Sequence, residues 1–146
     1  MKKRKIIGVD YGDFSIGLAI FDVETDFIYP YKTIFRAKAN VLRKSIREIV
    51  EIVNAENITD IVIGLPLNAD GTEGDRVEKV KHFAKMLSNA LINSSISIFF
   101  QDERLTTVEA KSILQERGIK KTEWKKNIDQ IAAEIILTDY KQVNKL

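Results

Sequence analysis

Residues Ile61-Val62-Ile63-Gly64-Leu65-Pro66 form a short unbroken apolar run between two longer stretches of helical periodicity. A run of that length suits a central strand covered on both faces, because such a strand shows no alternation of polar and apolar residues. On one side, Val41 to Val53 carries apolar residues at 42, 46, 49, 50 and 53. On the other, Val77 to Leu91 carries them at 77, 80, 83, 84, 87 and 91. Both spacings predict helices that pack one face against a sheet. Ile96 to Phe100 repeats the pattern of a buried strand.

Ahead of these units, Ile6 to Val9 and Ile16 to Val23 read as two strands joined by a turn at Gly12-Asp13. Phe27 to Phe35 reads as a third strand, and its Pro30 predicts an edge position or a bulge. After residue 100, Thr106 or Thr107 can cap a helix running to about Arg117, with Gly118 as its stop. A last helix is predicted over about Thr122 to Gln142, with an apolar stripe at 128, 131, 132, 135 and 136. The order β-β-β-α-β-α-β-α-α predicts an α/β fold: a mixed sheet with helices on its faces.

The chain's 146 residues are enough for one domain with a substantial core. The absence of cysteine excludes disulfides and thiolate zinc sites, and the single histidine, His82, argues against an imidazole-rich metal site or a serine–histidine triad. No apolar run approaches the ~18 residues of a membrane span. The basic start, Met1 to Lys5, is followed by Asp10, Gly12 and Asp13 rather than an apolar signal core, so a cytoplasmic location is expected. The net charge of +2 neither demands nor excludes a nucleic-acid partner. The cations group at 2–5, at Arg43, Lys44 and Arg47, and at Lys120, Lys121, Lys125 and Lys126.

Three acids stand where elements end or turn inward. Asp10 closes the first apolar run, between Gly8 and Gly12. Glu103 follows the last strand beside Asp102, and either of the two can be the one that faces inward. Asp129 lies on the final helix with Ala132 and Ala133 at i+3 and i+4, small residues that let that helix approach the sheet. A carboxylate at a buried strand end is costly unless its charge is compensated. Three that converge point to a divalent cation and to phosphodiester chemistry, and without the cation at least one should have a raised pKa.

Around them, Arg104, Asn68 in the Gly-rich loop 67–74, Thr106 and Lys126 are the candidate contacts to a phosphate backbone. That loop lacks the lysine of a P-loop. His82 reads as a surface or boundary residue, Trp124 as a packing residue, and Asp22, Glu24 and Asp26 as turn and solvent acids.

Taken together, GVDYG (8–12), IGLAIFD (16–22), IVIGLPLNADGTEG (61–74), HFAKML (82–87), DERLTTVEA (102–110) and IDQIAAEIIL (128–137) resemble the YqgF family. It is also called the RuvX or pre-16S rRNA nuclease family, and is related to Holliday junction resolvases of the RNase H-like fold. The resemblance implies an RNase H-like fold with a five-stranded mixed sheet and a metal-dependent acidic site. By family motif the site acids are Asp10, Glu103 and Asp129, binding one or two Mg²⁺ or Mn²⁺ ions. The implied partner is nucleic acid, either the 5′ end of precursor 16S rRNA or a four-way DNA junction, cut by a monomer or a homodimer with no membrane involved. Two readings of another class are a non-catalytic nucleic-acid-binding or transcription-associated role, and an actin-like ATPase hairpin. The chain departs from the family in one place: Phe14-Ser15 precede Ile16-Gly17 where an arginine is common. That leaves Lys2 to Lys5 or Arg104 to supply the missing charge.

Overall fold

The computed structural model describes residues 3–68, 70–103 and 106–146, with Thr106 and Thr107 described in their backbone only. Its elements are β1 (Lys5–Tyr11), β2 (Ser15–Asp22), β3 (Phe27–Phe35), α1 (Arg43–Ala55), β4 (Asp60–Leu65), α2 (Asp75–Ala90), β5 (Ser97–Asp102), α3 (Thr106–Glu116) and α4 (Trp124–Asn144). A 3₁₀ turn over Lys121–Glu123 leads into α4. The five strands form one mixed sheet in the order β3-β2-β1-β4-β5. β2 runs antiparallel to both of its neighbours, β1 and β3, whereas β4 and β5 run parallel to β1.

Pro30 takes both of the roles expected of it. β3 is an edge strand, and Ala19 pairs with Pro30 while Leu18 pairs with Lys32, so Tyr31 is the extra residue of a bulge. The proline's missing N–H therefore costs no ladder bond that an inner strand would need.

β5 departs from its expected burial. Phe99 and Phe100 remain 41% and 43% exposed. The apolar run is real, but β5 pairs only with β4 at the sheet's edge, and the helices cover it incompletely. Phe99 gains partial cover from the ring of Tyr140, 6.1 Å away. Three helices also begin about two residues later or earlier than expected, α1 at Arg43 rather than Val41 among them. α2 starts at Asp75 after Gly74 as N-cap, and α4 starts at Trp124 because the 3₁₀ turn takes the preceding residues. α3 ends at Glu116, and Gly118 takes a left-handed φ of 71° behind it.

Strand alternation sends side chains to two cores. Ile7, Val9, Ile16, Leu18, Ile20, Ile61 and Ile63 pack with α1 and α2. Ile6, Ala19, Phe21 and Val62 pack with Ala133, Ile136, Leu137 and Tyr140 of α4. α4 also buries Ile131 and Ile135 against Ala110 and Leu114 of α3. Its apolar face is thus wider than the single stripe expected, since it lies between the sheet and another helix. Trp124 is a packing residue of this layer, its Nε1–H donating to the Ile119 carbonyl at 2.8 Å. Among the described residues no helix is long and apolar enough to cross a membrane.

α4 meets the sheet most closely at Gly17. A Cβ there would overlap the backbone carbonyl of Asp129 and lie 2.6 Å from the Asp129 Cβ. Backbone cannot yield as a flexible side chain can. Gly17→Ala is therefore expected to lower unfolding stability in urea by about 1–3 kcal/mol or more, as overpacking does.

Candidate active site

On β1, Ile7, Val9 and Tyr11 face the α1 and α2 core, and Ile6, Gly8 and Asp10 face α4. Asp10 is paired across the antiparallel ladder with Gly17. On its other side, Gly64 stands one residue beyond the Val9–Ile63 pair of the parallel ladder. Each neighbouring strand therefore offers a missing side chain beside Asp10, and each gap admits one acid. The gap at Gly17 takes Asp129, as described. At Gly64 an added Cβ would lie 2.5 Å from Glu103 Oε2.

Glu103 is held there by its backbone. Its N–H donates to the Leu65 carbonyl at 2.8 Å, extending the β4–β5 ladder one step past the Leu65–Asp102 pair. Alternation at the strand's end leaves Asp102 exposed and turns Glu103 inward, which decides between the two acids. Asp129 is anchored from β2: the Ser15 hydroxyl donates to its Oδ2 in a short hydrogen bond of 2.5 Å.

Asp10 retains some accessible surface, yet protein crowds its carboxyl group. Loss of hydration raises its pKa well above the ordinary 3.8. The Glu103 charge, a hydrogen bond between the Asp10 and Glu103 carboxyl groups, and the Asp129 charge raise it further. Arg76, on the first turn of α2, partly offsets these effects.

The contrast with Asp60, a second buried acid, is informative. Asp60 lies at the opposite end of the sheet and is satisfied by Arg4 Nε at 3.1 Å and the Thr59 hydroxyl at 3.0 Å. Asp10 instead faces two further acids, an arrangement that gains nothing for stability.

Among the described residues no three acidic or imidazole side chains are gathered closely enough to form a ready ligand set. Asp10 and Glu103 are joined, whereas the Asp129 carboxylate is engaged by Ser15. The donors nevertheless fit a hard divalent cation: all are carboxylate oxygens, and the repulsion that lifts the Asp10 pKa is what a cation would relieve.

The other expected residues divide. Asn68 orders its own loop, with its N–H on the Thr72 carbonyl at 2.9 Å and its Nδ2 on the Thr72 hydroxyl at 3.0 Å. Lys126 is exposed near the start of α4, where its carbonyl accepts the Thr33 hydroxyl and its Nζ lies 3.6 Å from Glu123. Thr106 opens α3, and Arg104 lies outside the described residues. His82 is exposed, as expected of a surface or boundary residue.

Ser15, Arg76 and Arg36 are neighbours of the site that the sequence reading did not select. Arg36 donates from Nη2 to the Tyr11 hydroxyl at 2.9 Å and to the Gly12 carbonyl at 2.6 Å, clamping the turn after Asp10. A signal for Ser15 existed: two residues before Gly17 on one strand, it must share the face that receives Asp129.

The sequence matches the family RuvX, described as Holliday junction resolvase, over residues 4–142. The chain belongs to the RuvX family. Among RuvX relatives, a protein of Lachnospira eligens named "Putative pre-16S rRNA nuclease" is 38% identical over 93% of this chain and 95% of its own. One of the same name from Chloroflexus aggregans is 37% identical over 96% of this chain and 94% of its own. In fold, the chain matches Thermus thermophilus RuvC in complex with a Holliday junction substrate, with a TM-score of 0.64 at 10% identity over 97% of this chain and 95% of that one. The fowlpox virus Holliday junction resolvase follows with a TM-score of 0.58 at 13% identity, over 96% of this chain and 99% of that one. The RuvX chain thus has the RNase H-like fold of the RuvC-type resolvases.

The raised pKa of Asp10 has a consequence for stability. Its stabilising contribution is full below about pH 4, where the carboxyl is protonated in both folded and unfolded chains, and is lost as pH rises through the folded-state value. Asp10→Asn, which cannot ionise, should therefore raise the melting temperature of EDTA-treated protein at pH 7.5. The expected gain is several degrees, at ~2–4 °C per kcal/mol for a domain of this size. Differential scanning calorimetry should show that gain shrinking toward zero as pH falls to about 4.

Proposed function

We propose that this RuvX-family chain is a metal-dependent endonuclease in which Asp10, Glu103 and Asp129 are the catalytic carboxylates and the 5′ region of precursor 16S rRNA is the substrate. As a member of its family the chain is a nuclease, a hydrolase acting on nucleic acid. The observation that carries the assignment of the site is that Glu103 and Asp129 fill the gaps left by Gly64 and Gly17 on either side of Asp10, at the end of the central strand. A protein that only bound phosphates would be opposed by this concentrated negative charge, so the geometry supports catalysis over passive binding.

Mg²⁺ or Mn²⁺, when bound, supplies Lewis acidity at the phosphate and lowers the pKa of an attacking water. The chain's own residues prepare for it. Asp10 and Glu103 would hold it through their carboxylate oxygens, and a bound cation would relieve the repulsion that raises the Asp10 pKa. Asp129, now accepting the Ser15 hydroxyl, would be the third carboxylate to hold the cation, and the close backbone approach at Gly17 keeps its main chain in place. β1 holds Asp10 on a central strand, and the Leu65 carbonyl of β4 fixes the backbone of Glu103 just past the end of β5, so both positions are set by the sheet.

The rRNA assignment rests on the names of the relatives that align along nearly the whole chain. A four-way DNA junction is the second reading, favoured by the family's description. A symmetric junction carries two scissile positions and so suits a homodimer, whereas a single cut suits a monomer. A cytoplasmic location accompanies the rRNA reading.

The test compares a labelled precursor 16S rRNA 5′ leader with a labelled four-way DNA junction, in Mn²⁺ or in EDTA. Cleavage of the leader is expected with metal and none in EDTA. Asp10→Asn, Glu103→Gln and Asp129→Asn should each lower the rate by roughly 10²-fold or more, the scale of losing one electrostatic stabiliser at a reacting centre. Retention of metal-dependent cutting by all three variants would place the site elsewhere. Cleavage of the junction alone would move the substrate to DNA. Substrate affinity, read by anisotropy in EDTA, should fall linearly on a log–log plot against salt, with a slope that counts the phosphates contacted.

A further inference from the structure

Beside the acids, on the α1 and α2 side of the sheet, two cavities adjoin. The larger, about 260 Å³, is lined by Tyr11, Asp13, Asn40, Leu42, Lys79 and His82. The smaller, about 90 Å³, shares Tyr11, Asp13 and Lys79 with it and adds Gly12 and Arg76. We propose that together they form a subsite for one unpaired nucleotide next to the scissile phosphate, with its phosphate at Arg76 and Lys79 and its base between Asn40, Leu42 and His82. The inference rests on the nuclease reading above and adds a part to that same site.

The cavities lie near Asp10 at the end of β1, and none of the three site acids lines them. Tyr11 and Gly12 directly follow Asp10, and the charge of Arg76 reaches the Asp10 carboxyl. Arg76, Lys79 and His82 follow one another at intervals of three along α2, so they form one row leading away from Asp10. The row spans about 9 Å at 1.5 Å per residue.

Arg76 is exposed and has no ion pair among the described residues. Lys79 holds Asp13 at 3.3 Å, but the side chains of this pair are 59% and 44% exposed. A pair so placed contributes little to stability, so its lysine is available to a phosphate. Arg36 adds a third cation behind the turn, held by the Tyr11 hydroxyl and the Gly12 carbonyl.

The larger cavity has the character of a base pocket. Its wall is rigid, since Tyr11 is stacked on Phe83 at 4.5 Å and covered on its ring by Arg36 at 4.9 Å. Leu42 is buried and apolar, whereas Asn40 and His82 are exposed at the rim. The Asn40 amide can donate to and accept from a base edge, and the His82 ring can stack on a base face. The volume lies just below the ~300–1,000 Å³ of ordinary small-molecule sites. That is room for one base and too little for a paired helix, and single-stranded RNA is recognised by such splayed-out bases.

The test uses the full chain in EDTA, titrated with adenosine, guanosine, cytidine and uridine 5′-monophosphates, with inorganic phosphate as control. By NMR, at least one nucleotide should shift the His82 ring and Asn40 side-chain amide signals, while phosphate shifts only signals of Arg76 and Lys79. Asn40→Ala and His82→Ala change exposed residues, and circular dichroism should show their fold intact. Each should weaken nucleotide binding and raise the KM for a cleaved substrate about tenfold, the loss of one good contact, with kcat unchanged. No nucleotide-specific shift at millimolar concentration overturns the subsite. So does a wild type that cleaves with both variants matching its KM, which leaves the nuclease reading standing. Nucleotide shifts at His82 and Asn40 in a protein that cleaves neither test substrate would uphold the subsite and overturn the nuclease reading.

Discussion

The contact between Gly17 of β2 and the backbone of Asp129 governs much of this molecule. It sets how closely α4 lies on the sheet, and through that the depth at which Ala133, Ile136, Leu137 and Tyr140 pack on Ile6, Ala19, Phe21 and Val62. Because Gly17 is also the ladder partner of Asp10, the same contact delivers one carboxylate to another. Packing and chemistry thus depend on one absent side chain. Gly64 plays the matching part on the other flank, where its missing Cβ gives Glu103 room to reach inward.

The result is a local charge cost carried by a well-packed frame. Ile7, Val9, Ile61 and Ile63 are fully buried on the central strands, each worth about 1.5–3 kcal/mol of burial. Against that background the sheet can tolerate an acid whose ionisation is disfavoured. The two buried acids of the central strands show the difference between structure and function. Asp60 is neutralised by Arg4 at one end, where it ties the N-terminal strand to β4. Asp10 at the other end faces the like charges of Glu103 and Asp129, offset only in part by Arg76.

Much of the architecture was legible in residue patterns. The order of elements, the hairpin, the edge position of β3 and the central place of β4 all follow from periodicity and from Pro30, because these depend on neighbours along the chain. β5 was misjudged as buried, since an apolar run reports a preference for burial but not whether a helix arrives to cover it. Within the candidate site, Asp10 and Glu103 were visible as acids at strand ends and Asp129 as an acid on the final helix beside small residues. Arg36 and Arg76 were not, because their roles come from groups that meet across more than twenty residues of chain, and the strand register that marks Ser15 acquires meaning only once Asp129 is known to pack at Gly17.

The sequence by itself determined the α/β class and the family, and it singled out Asp10, Asp129 and one of the pair Asp102-Glu103 as candidate acids. It left Asp102 and Glu103 equivalent, since both follow the same strand. Tertiary structure separated them: the Leu65 carbonyl fixes the backbone of Glu103, and alternation at the strand end turns its side chain toward Gly64 while Asp102 faces solvent. It also decided that Asp129 is engaged by Ser15, and that Arg76 stands close enough to temper the charge on Asp10. The physical reason is common to all of these. Charge and hydrogen bonding act through space over a few ångströms, and only the folded sheet and its crossing helix set which residues fall within that range.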